Sequence, residues 1–269
     1  MARKVLAFDI GGTSIRAAIV ENNKIKRLLS CGTPKEKKLF LEKIVEFADE
    51  LIDKSIKGIG VGCAGVIKNG VVKNSPNLPI DNFDLQLYLE RKYKRRVKVF
   101  NDAGCFSLAE YRIGCKKKDF VIITLGTGIG GGIIINNEPY DGTGYGGELG
   151  HIRVNSKDWE SLWKGTRKSI YKEFKKDVLI KDLVKKRDLK SKKILEKAGD
   201  YLGQGIASII SILDPEVVVL AGGPSEAGDS FLSVIKLGVE KYTFLPKKTP
   251  VVWTKLKHPG ILGASLLVS

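Results

Sequence analysis

The chain has 269 residues, 43% of them hydrophobic, which is enough to bury one large core or two medium ones, and two lobes are expected. Its 46 basic residues against 30 acidic give a net charge of +16, which raises the question of a nucleic-acid partner, but the segment from Lys164 to Lys193 alone holds 13 of the basic residues and four acids. No aromatic series accompanies that charge to stack bases, while Ile170, Phe174, Val178, Leu179, Leu183 and Val184 recur at roughly helical spacing, so the segment reads as a solvated helical face and no nucleic-acid partner is expected.

A strand pattern begins by Val5 with no charged-then-apolar leader, and no apolar run approaches the roughly 20 residues that span a bilayer, so a cytoplasmic protein without a membrane partner is expected. Lys4 to Asp9, Ile15 to Val20 and Lys24 to Cys31 read as three successive strands, followed by a helix over Pro34 to Lys54 with Pro34 in its first turn. Strands and helices then alternate: Ile56 to Cys63 is a strand, Val71 and Val72 lie in another, Asp84 to Arg91 is helical, and Val97 to Phe100 runs into Asn101-Asp102 and a helix ending near Gly114. The cluster Arg91 to Lys98 closes a helix, where cations suit the C-terminal dipole. Lys116 to Lys118 is the expected hinge. The second lobe opens with a strand over Asp119 to Leu125 and a hairpin with Asn136-Asn137 at its tip. A basic helical region follows, then a long helix over Ser191 to Leu213 that stops at Asp214-Pro215, and an apolar strand from Glu216 to Leu220 that opens into Ala221-Gly222-Gly223. Gly260 to Ser269 reads as a last helix that crosses back to the first lobe. The expected division is therefore 1–115 with helix 260–269, and 116–259.

Two stretches repeat one another at an offset of 115 residues: Ala7 to Val20 around Gly11-Gly12-Thr13, and Ile122 to Ile135 around Gly126-Thr127-Gly128. Each is strand, glycine turn, strand. Glycine turns leave backbone N–H groups uncovered and can wrap phosphate oxygens, so the pair suggests one polyphosphate held between two lobes. Gly126 to Gly131 also matches the dinucleotide fingerprint GxGxxG, but that fingerprint needs a helix next and here Gly132 to Ile135 continues as a strand. Asp9 ends the first strand where its carboxylate could meet a phosphate-bound Mg²⁺ directly or through water; the second copy has Thr124 there.

Asn101 and Asp102 precede a helix, so capping and catalysis stand open for them alike. Glu148 and His151 lie three apart among glycines, with no second histidine or cysteine nearby to complete a metal site, and a hydrogen-bonding role toward a polar ligand is expected. His258 reads as incidental. Asn77, framed by Pro76 and Pro79, is either a structural turn residue or a ligand contact. Cys31, Cys63, Cys105 and Cys115 form no CxxC pair, so neither a disulfide framework nor a zinc knuckle is indicated.

These motifs, in this order across nearly the whole chain, resemble the ROK family of sugar kinases and sugar-responsive repressors in the actin-like ATPase superfamily. The resemblance implies an α/β, two-lobed, ribonuclease H-like fold with duplicated sheet and helix domains and a central cleft. It makes Asp9 to Thr13 the first phosphate motif, Gly126, Thr127 and Gly128 the second, and Asp214 to Gly223 the adenosine-side motif with Gly222 and Gly223 against ATP. Asn101-Asp102 falls where the family has its catalytic Asn-Asp, with Asp102 as base, and Gly65, Asn77, Asn101, Asp102, Glu148 and His151 would hold the sugar. The implied reaction is transfer from MgATP to the 6-hydroxyl of an aldohexose or N-acetylhexosamine, in a glucokinase-like or hexokinase-like enzyme. An N-acetylglucosamine or N-acetylmannosamine kinase and a fructokinase are the alternatives. A homodimer is expected by resemblance alone. Eight residues precede Asp9, so the helix-turn-helix of the repressors is not expected ahead of it; a non-catalytic sugar-binding protein is the remaining option. The family's CxCGxxGCxE cluster, which binds zinc with the histidine, is missing: no cysteine follows Cys115, and Ile152 to Asp158 looks like a shortened replacement without zinc. Glu160 lies five residues before Gly165, the spacing of the family's second sugar-binding glutamate, and packing of Trp159 and Trp163 is expected to support it in place of metal.

Overall fold

Two five-stranded sheets are built to one plan in a computed structural model that describes residues 4–140, 142–143, 146–246 and 248–268. The first compact unit comprises residues 1–116 and 143–145 and takes back the end of the chain from Leu256; the second comprises 117–142 and 146–255.

In the first unit β1 (Lys4–Ile10), β2 (Ser14–Glu21) and β3 (Lys24–Gly32) form an antiparallel meander, as their alternating apolar residues predict. Then come α1 (Lys37–Leu51), β4 (Ile56–Cys63), β5 (Val66–Lys68), β6 (Val71–Asn74), β7 (Phe83–Asp84), α2 (Leu85–Tyr93), β8 (Arg96–Asn101) and α3 (Asp102–Arg112). The large sheet has the order β3-β2-β1-β4-β8, with β1, β4 and β8 parallel, so Ile10, Cys63 and Asn101 end neighbouring strands at one edge. The short strands β5, β6 and β7 form a separate three-stranded sheet. Phe8, Ile10, Ile15, Phe40, Ile44, Ile59 and Val61 fill the core between α1 and the sheet. Pro34 is not in the first turn of α1, which starts three residues later. Thr33 explains this: its N–H donates to Thr13 O at 3.1 Å and its Oγ1 to Gly11 O at 2.6 Å, which holds the connection extended past the proline. The helix also stops at Leu51, before Lys54, because Ile52 is extended and the Asp53 carboxylate accepts from Ser55 N–H in a side-chain turn. Of the basic cluster, Arg91 and Lys92 occupy the last turn of α2, while Arg96 and Lys98 lie on β8.

The second unit runs β9 (Phe120–Leu125), β10 (Ile129–Ile135), β11 (Glu138–Pro139), a 3₁₀ turn over Leu149–His151, β12 (Arg153–Val154), β13 (Lys157–Asp158), α4 (Trp159–Phe174), α5 (Ile180–Lys186), α6 (Leu189–Leu213), β14 (Val217–Gly222), a second 3₁₀ turn over Gly223–Ala227, α7 (Gly228–Tyr242) and β15 (Val251–Trp253). Its sheet order, β11-β10-β9-β14-β15, repeats the first: an antiparallel hairpin, then parallel strands β9, β14 and β15. The basic segment folds as the end of α4, all of α5 and the start of α6, separated by left-handed Lys175 and Arg187. Ile170, Ile180 and Leu183 enter the core, with Phe174, Val178 and Val184 packed beside them, whereas Leu179 precedes α5 and is 59% exposed rather than buried on the helical face. Asp188 caps α6 through Ser191 N–H at 2.8 Å, and Asp214, left-handed, ends it before Pro215.

The last helix, α8 (Pro259–Leu266), belongs to the first unit; Ser269 of the expected span lies outside the described residues. It lies so close that a Cβ on Gly263 would overlap the Cys105 carbonyl of α3 and one on Gly60 of β4 would overlap the Ala264 carbonyl. Among the described residues no helix is long and apolar enough to cross a membrane.

Candidate active site

The C-terminal edge of β1, β4 and β8 gathers the candidates of the first unit, at the end of parallel strands where open α/β sheets bind ligands. Asn101 caps α3: its Oδ1 accepts from Gly104 N–H at 3.0 Å. The choice between Asn101 and Asp102 as cap is thereby made, and Asp102 becomes the first helical residue, its Oδ1 accepting from Ala103 N–H at 2.9 Å. Asn101 Nδ2 donates to Gly65 O at 2.9 Å. Two of the amide's hydrogen-bonding groups thus serve the protein, leaving one N–H and one lone pair for a ligand. Gly65 has φ +109°, and a Cβ there would overlap the Asn74 carbonyl, so this bend between β4 and β5 requires glycine.

The first glycine turn closes through Gly11 N–H to Ser14 O at 3.0 Å, and Gly12 lies against Asn77, where a Cβ would come 2.6 Å from the Asn77 Cβ. Asn77 is exposed on a turn fixed by Leu78 N–H to Ser75 O at 3.1 Å and by Ser75 Oγ to Ala64 O at 2.8 Å. Lys35 Nζ donates to Gly12 O at 2.8 Å, setting a cation beside this turn. Thr33 and Lys35 are supports that the strand pattern did not reveal.

Asp9 is 8% exposed, pairs across the hairpin with Arg16, and accepts from its Nη1 at 3.2 Å. Burial pushes its carboxyl above the ordinary range, and the positive charges of Arg16 and His258 pull it back. His258 precedes α8 in a left-handed conformation, and burial together with the charge of Arg16 lowers its pKa. Gly260, in the first turn of α8, touches the same carboxylate, since a Cβ there would sit 2.7 Å from Asp9 Cγ. A buried oxygen donor whose charge is only partly compensated has the chemistry that suits Mg²⁺ bound through one carboxylate, water and phosphate oxygens.

In the second unit, register pairs Gly222 of β14 with Leu125 of β9, which brings Gly223 beside Gly126 at the same sheet edge. Gly222 has φ +111°, and a Cβ there would overlap Leu125 O. Gly126 and Gly223 are both exposed, and a Cβ on either would meet nothing within 4 Å, so open space lies over two adjacent strand ends. Such a surface fits a nucleotide's phosphates approaching the backbone. Gly126 N–H donates to Gly128 O at 3.0 Å, closing the second turn around exposed Thr127.

Glu148 and His151 are exposed at either end of the first 3₁₀ turn, while Leu149 between them is buried against Gly131 of β10, where a Cβ would come 2.5 Å from Leu149 Cγ. Ile152 to Asp158 folds as the β12–β13 hairpin, with Asn155 and Ser156 both at positive φ, 48° and 62°. Asp158 then caps α4 through Ser161 N–H at 2.8 Å. Among the described residues no group of three His, Cys, Asp or Glu side chains is placed to hold a metal. Glu160, in the first turn of α4, accepts from Ile129 N–H at 3.2 Å and from Lys164. Its Cβ lies 3.5 Å from where Gly150 would carry one. The second glycine turn, the Glu148–His151 turn and Glu160 therefore converge on the first residues of β10. Trp163, expected from the sequence to pack in support of Glu160, also donates its indole N–H to Gly126 O at 2.9 Å, and Lys164 is a member of this cluster that spacing did not single out.

The family model described as "ROK family" matches residues 5–269. An N-acetyl-D-glucosamine kinase of Mannheimia succiniciproducens is 31% identical, covering 97% of each chain. A xylose repressor of Caldicellulosiruptor bescii is 27% identical over 84% of this chain and 68% of its own. Among solved structures, a ROK family glucokinase from Streptomyces griseus, in complex with glucose and AMPPNP, superposes with a TM-score of 0.87 at 25% identity, covering 98% of this chain and 99% of that one. With the family model spanning nearly every residue and the duplicated sheets shared with solved relatives, the chain belongs to the ROK family.

Proposed function

We propose that the protein is a sugar kinase that transfers the γ-phosphoryl group of MgATP to the 6-hydroxyl of a hexose. The observation that carries the reading is the place of Asp102: with Asn101 as the N-cap, Asp102 stands in the first turn of α3 at a strand end, in company with Asp9 and a glycine turn. The Streptomyces griseus relative, crystallised with glucose and AMPPNP, supports the same chemistry.

In this reading the Asp102 carboxylate accepts the proton of the attacking primary hydroxyl, a base role open to a carboxylate of ordinary basicity when phosphoryl transfer is loose. Asn101, Gly65 and Asn77 orient the sugar, and Glu148, His151 and Glu160 hydrogen-bond its hydroxyls. Backbone N–H groups of Gly11 to Thr13 and Gly126 to Gly128 meet charge spread over the phosphoryl oxygens, and Gly222 and Gly223 flank the nucleotide. Asp9 would hold Mg²⁺, whose chemistry when bound is to neutralise phosphate charge.

The test is ADP release from MgATP with glucose, mannose, fructose, N-acetylglucosamine and N-acetylmannosamine, using wild type and Asp102→Asn in parallel. Sugar-dependent release that falls roughly 10²-fold or more in kcat in the variant is expected, with sugar binding retained. Near-normal turnover by the variant removes Asp102 from its role, and sugar binding without turnover by the wild type moves the protein toward the regulatory function of the repressor relative.

A further inference from the structure

Two successive turns of α4 grip the second glycine turn at both of its ends. At one end the Trp163 indole Nε1–H donates to Gly126 O at 2.9 Å. At the other, Ile129 N–H donates to Glu160 Oε2 at 3.2 Å, and Gly128 comes so close that a Cβ on it would overlap the same carboxylate. Lys164 donates to Glu160 Oε1 from one helical turn further on. Trp163 is 5% exposed and lies in the core with Trp159 and Leu162, so its ring cannot leave Gly126 without opening that core. Trp159 in turn is anchored by its own indole N–H, which donates to Tyr201 O of α6 at 2.9 Å. Glu160 and Trp163 are three apart on one helix, so their two grips move as a unit with it.

We propose that Trp163 is a positioning residue for the phosphate-binding turn, and that α4, through Glu160 and Trp163, couples occupancy of the sugar carboxylate to the order of residues 126–129. The inference rests on the phosphoryl-transfer reading above. Coupling of this kind is reciprocal in affinity: sugar on Glu160 changes nucleotide affinity by the same factor as nucleotide on the turn changes sugar affinity.

Calorimetric titration of Mg²⁺ and AMPPNP into wild type and Trp163→Phe tests it, the phenyl ring keeping most of the buried bulk while removing the N–H. Loss of one hydrogen bond that orders the turn is expected to raise the AMPPNP Kd about threefold to tenfold, while the KM for the accepted sugar stays within about twofold. Hydrogen exchange on the wild type supplies a second measurement that does not depend on the variant folding: AMPPNP should slow exchange over 159–164 as well as over 126–129. Protection confined to 126–129, or a variant that binds AMPPNP as the wild type does, overturns the proposal. Wild type that binds no AMPPNP overturns the phosphoryl-transfer reading itself and the proposal with it.

Discussion

Replacing Asn101 separates two contacts that meet in one side chain. Asn101→Ala removes the cap on Gly104 N–H and the donor to Gly65 O. Loss of an N-cap costs about 1 kcal/mol, and loss of an amide-to-carbonyl bond about 1 more, so the variant should lose about 2 kcal/mol. At roughly 2–4 °C per kcal/mol for a chain of this size, the melting transition should fall about 4–8 °C. Asn101→Asp keeps an oxygen to cap α3, and a negative charge there suits the helix N-terminus. It lacks the donor, however, and sets a carboxylate oxygen against the Gly65 carbonyl, so about half of the stability loss should remain. The activity consequences differ in pattern. Both variants release Gly65 and with it the strand end that carries Asp102, so both should lose at least about tenfold in kcat, Asn101→Asp included despite its milder melting shift. Differential scanning fluorimetry with steady-state kinetics on the same preparations reads both quantities. An Asn101→Asp enzyme with wild-type kcat, or an Asn101→Ala protein melting within about 1 °C of wild type, would refute the reasoning.

Two further predictions concern charge and metal. Asp9 binds its proton more readily folded than unfolded, because burial raises its folded pKa above the ordinary 3.8; the folded state therefore holds more protons between those values, and this site's contribution to stability grows as pH falls through the folded pKa and levels off below 3.8. Asp9→Asn should accordingly melt above wild type at pH 7 with its activity lost, and its advantage should shrink on acidification; an advantage that is constant or grows toward acid would contradict the burial argument. The β12–β13 hairpin occupies the stretch where zinc-binding cysteines are missing, so elemental analysis should find less than about 0.1 zinc per chain and a chelator should leave the melting transition in place, whereas one tightly held zinc per chain would reject the reading.

The strand meander, both glycine turns and the helix end at Asp214 were legible because each rests on local chemistry: alternation, glycine, a proline; the cap at Asp188, three residues before the expected start at Ser191, was not singled out. What was not legible depends on contacts distant in sequence. The start of α1 is set by Thr33 reaching back 22 residues to Gly11, not by Pro34 beside it. Asn101 and Asp102 are both good caps, and the choice between them follows from strand register, since Asn101 is still paired with Cys63 as the last residue of β8. Trp163 finds Gly126 across 37 residues, a contact no periodicity encodes. Arg16 is the exception that could have been derived: once the hairpin register is fixed by the glycine turn, Asp9 and Arg16 face one another.

The asymmetry of the repeat follows from what each hairpin must receive. In the first, Asp9 stands opposite Arg16, and the pair makes an ionic cross-strand contact in which Arg16 partly compensates a buried acid. At the corresponding place in the second, Thr124 stands opposite Gly130, with Gly131 next to it. No side chain larger than hydrogen fits at Gly131, because Leu149 and the backbone of Gly147 press on it from the turn that carries Glu148 and His151. Gly131 is thus a seat for the Glu148–His151 turn, while Gly126 and Gly128 shape the second glycine turn and the approach of Glu160. Those two separate demands, laid end to end along one strand, produce the spacing of a dinucleotide fingerprint in Gly126 to Gly131. The strand β10 that follows, in place of a helix, is what gives the coincidence away.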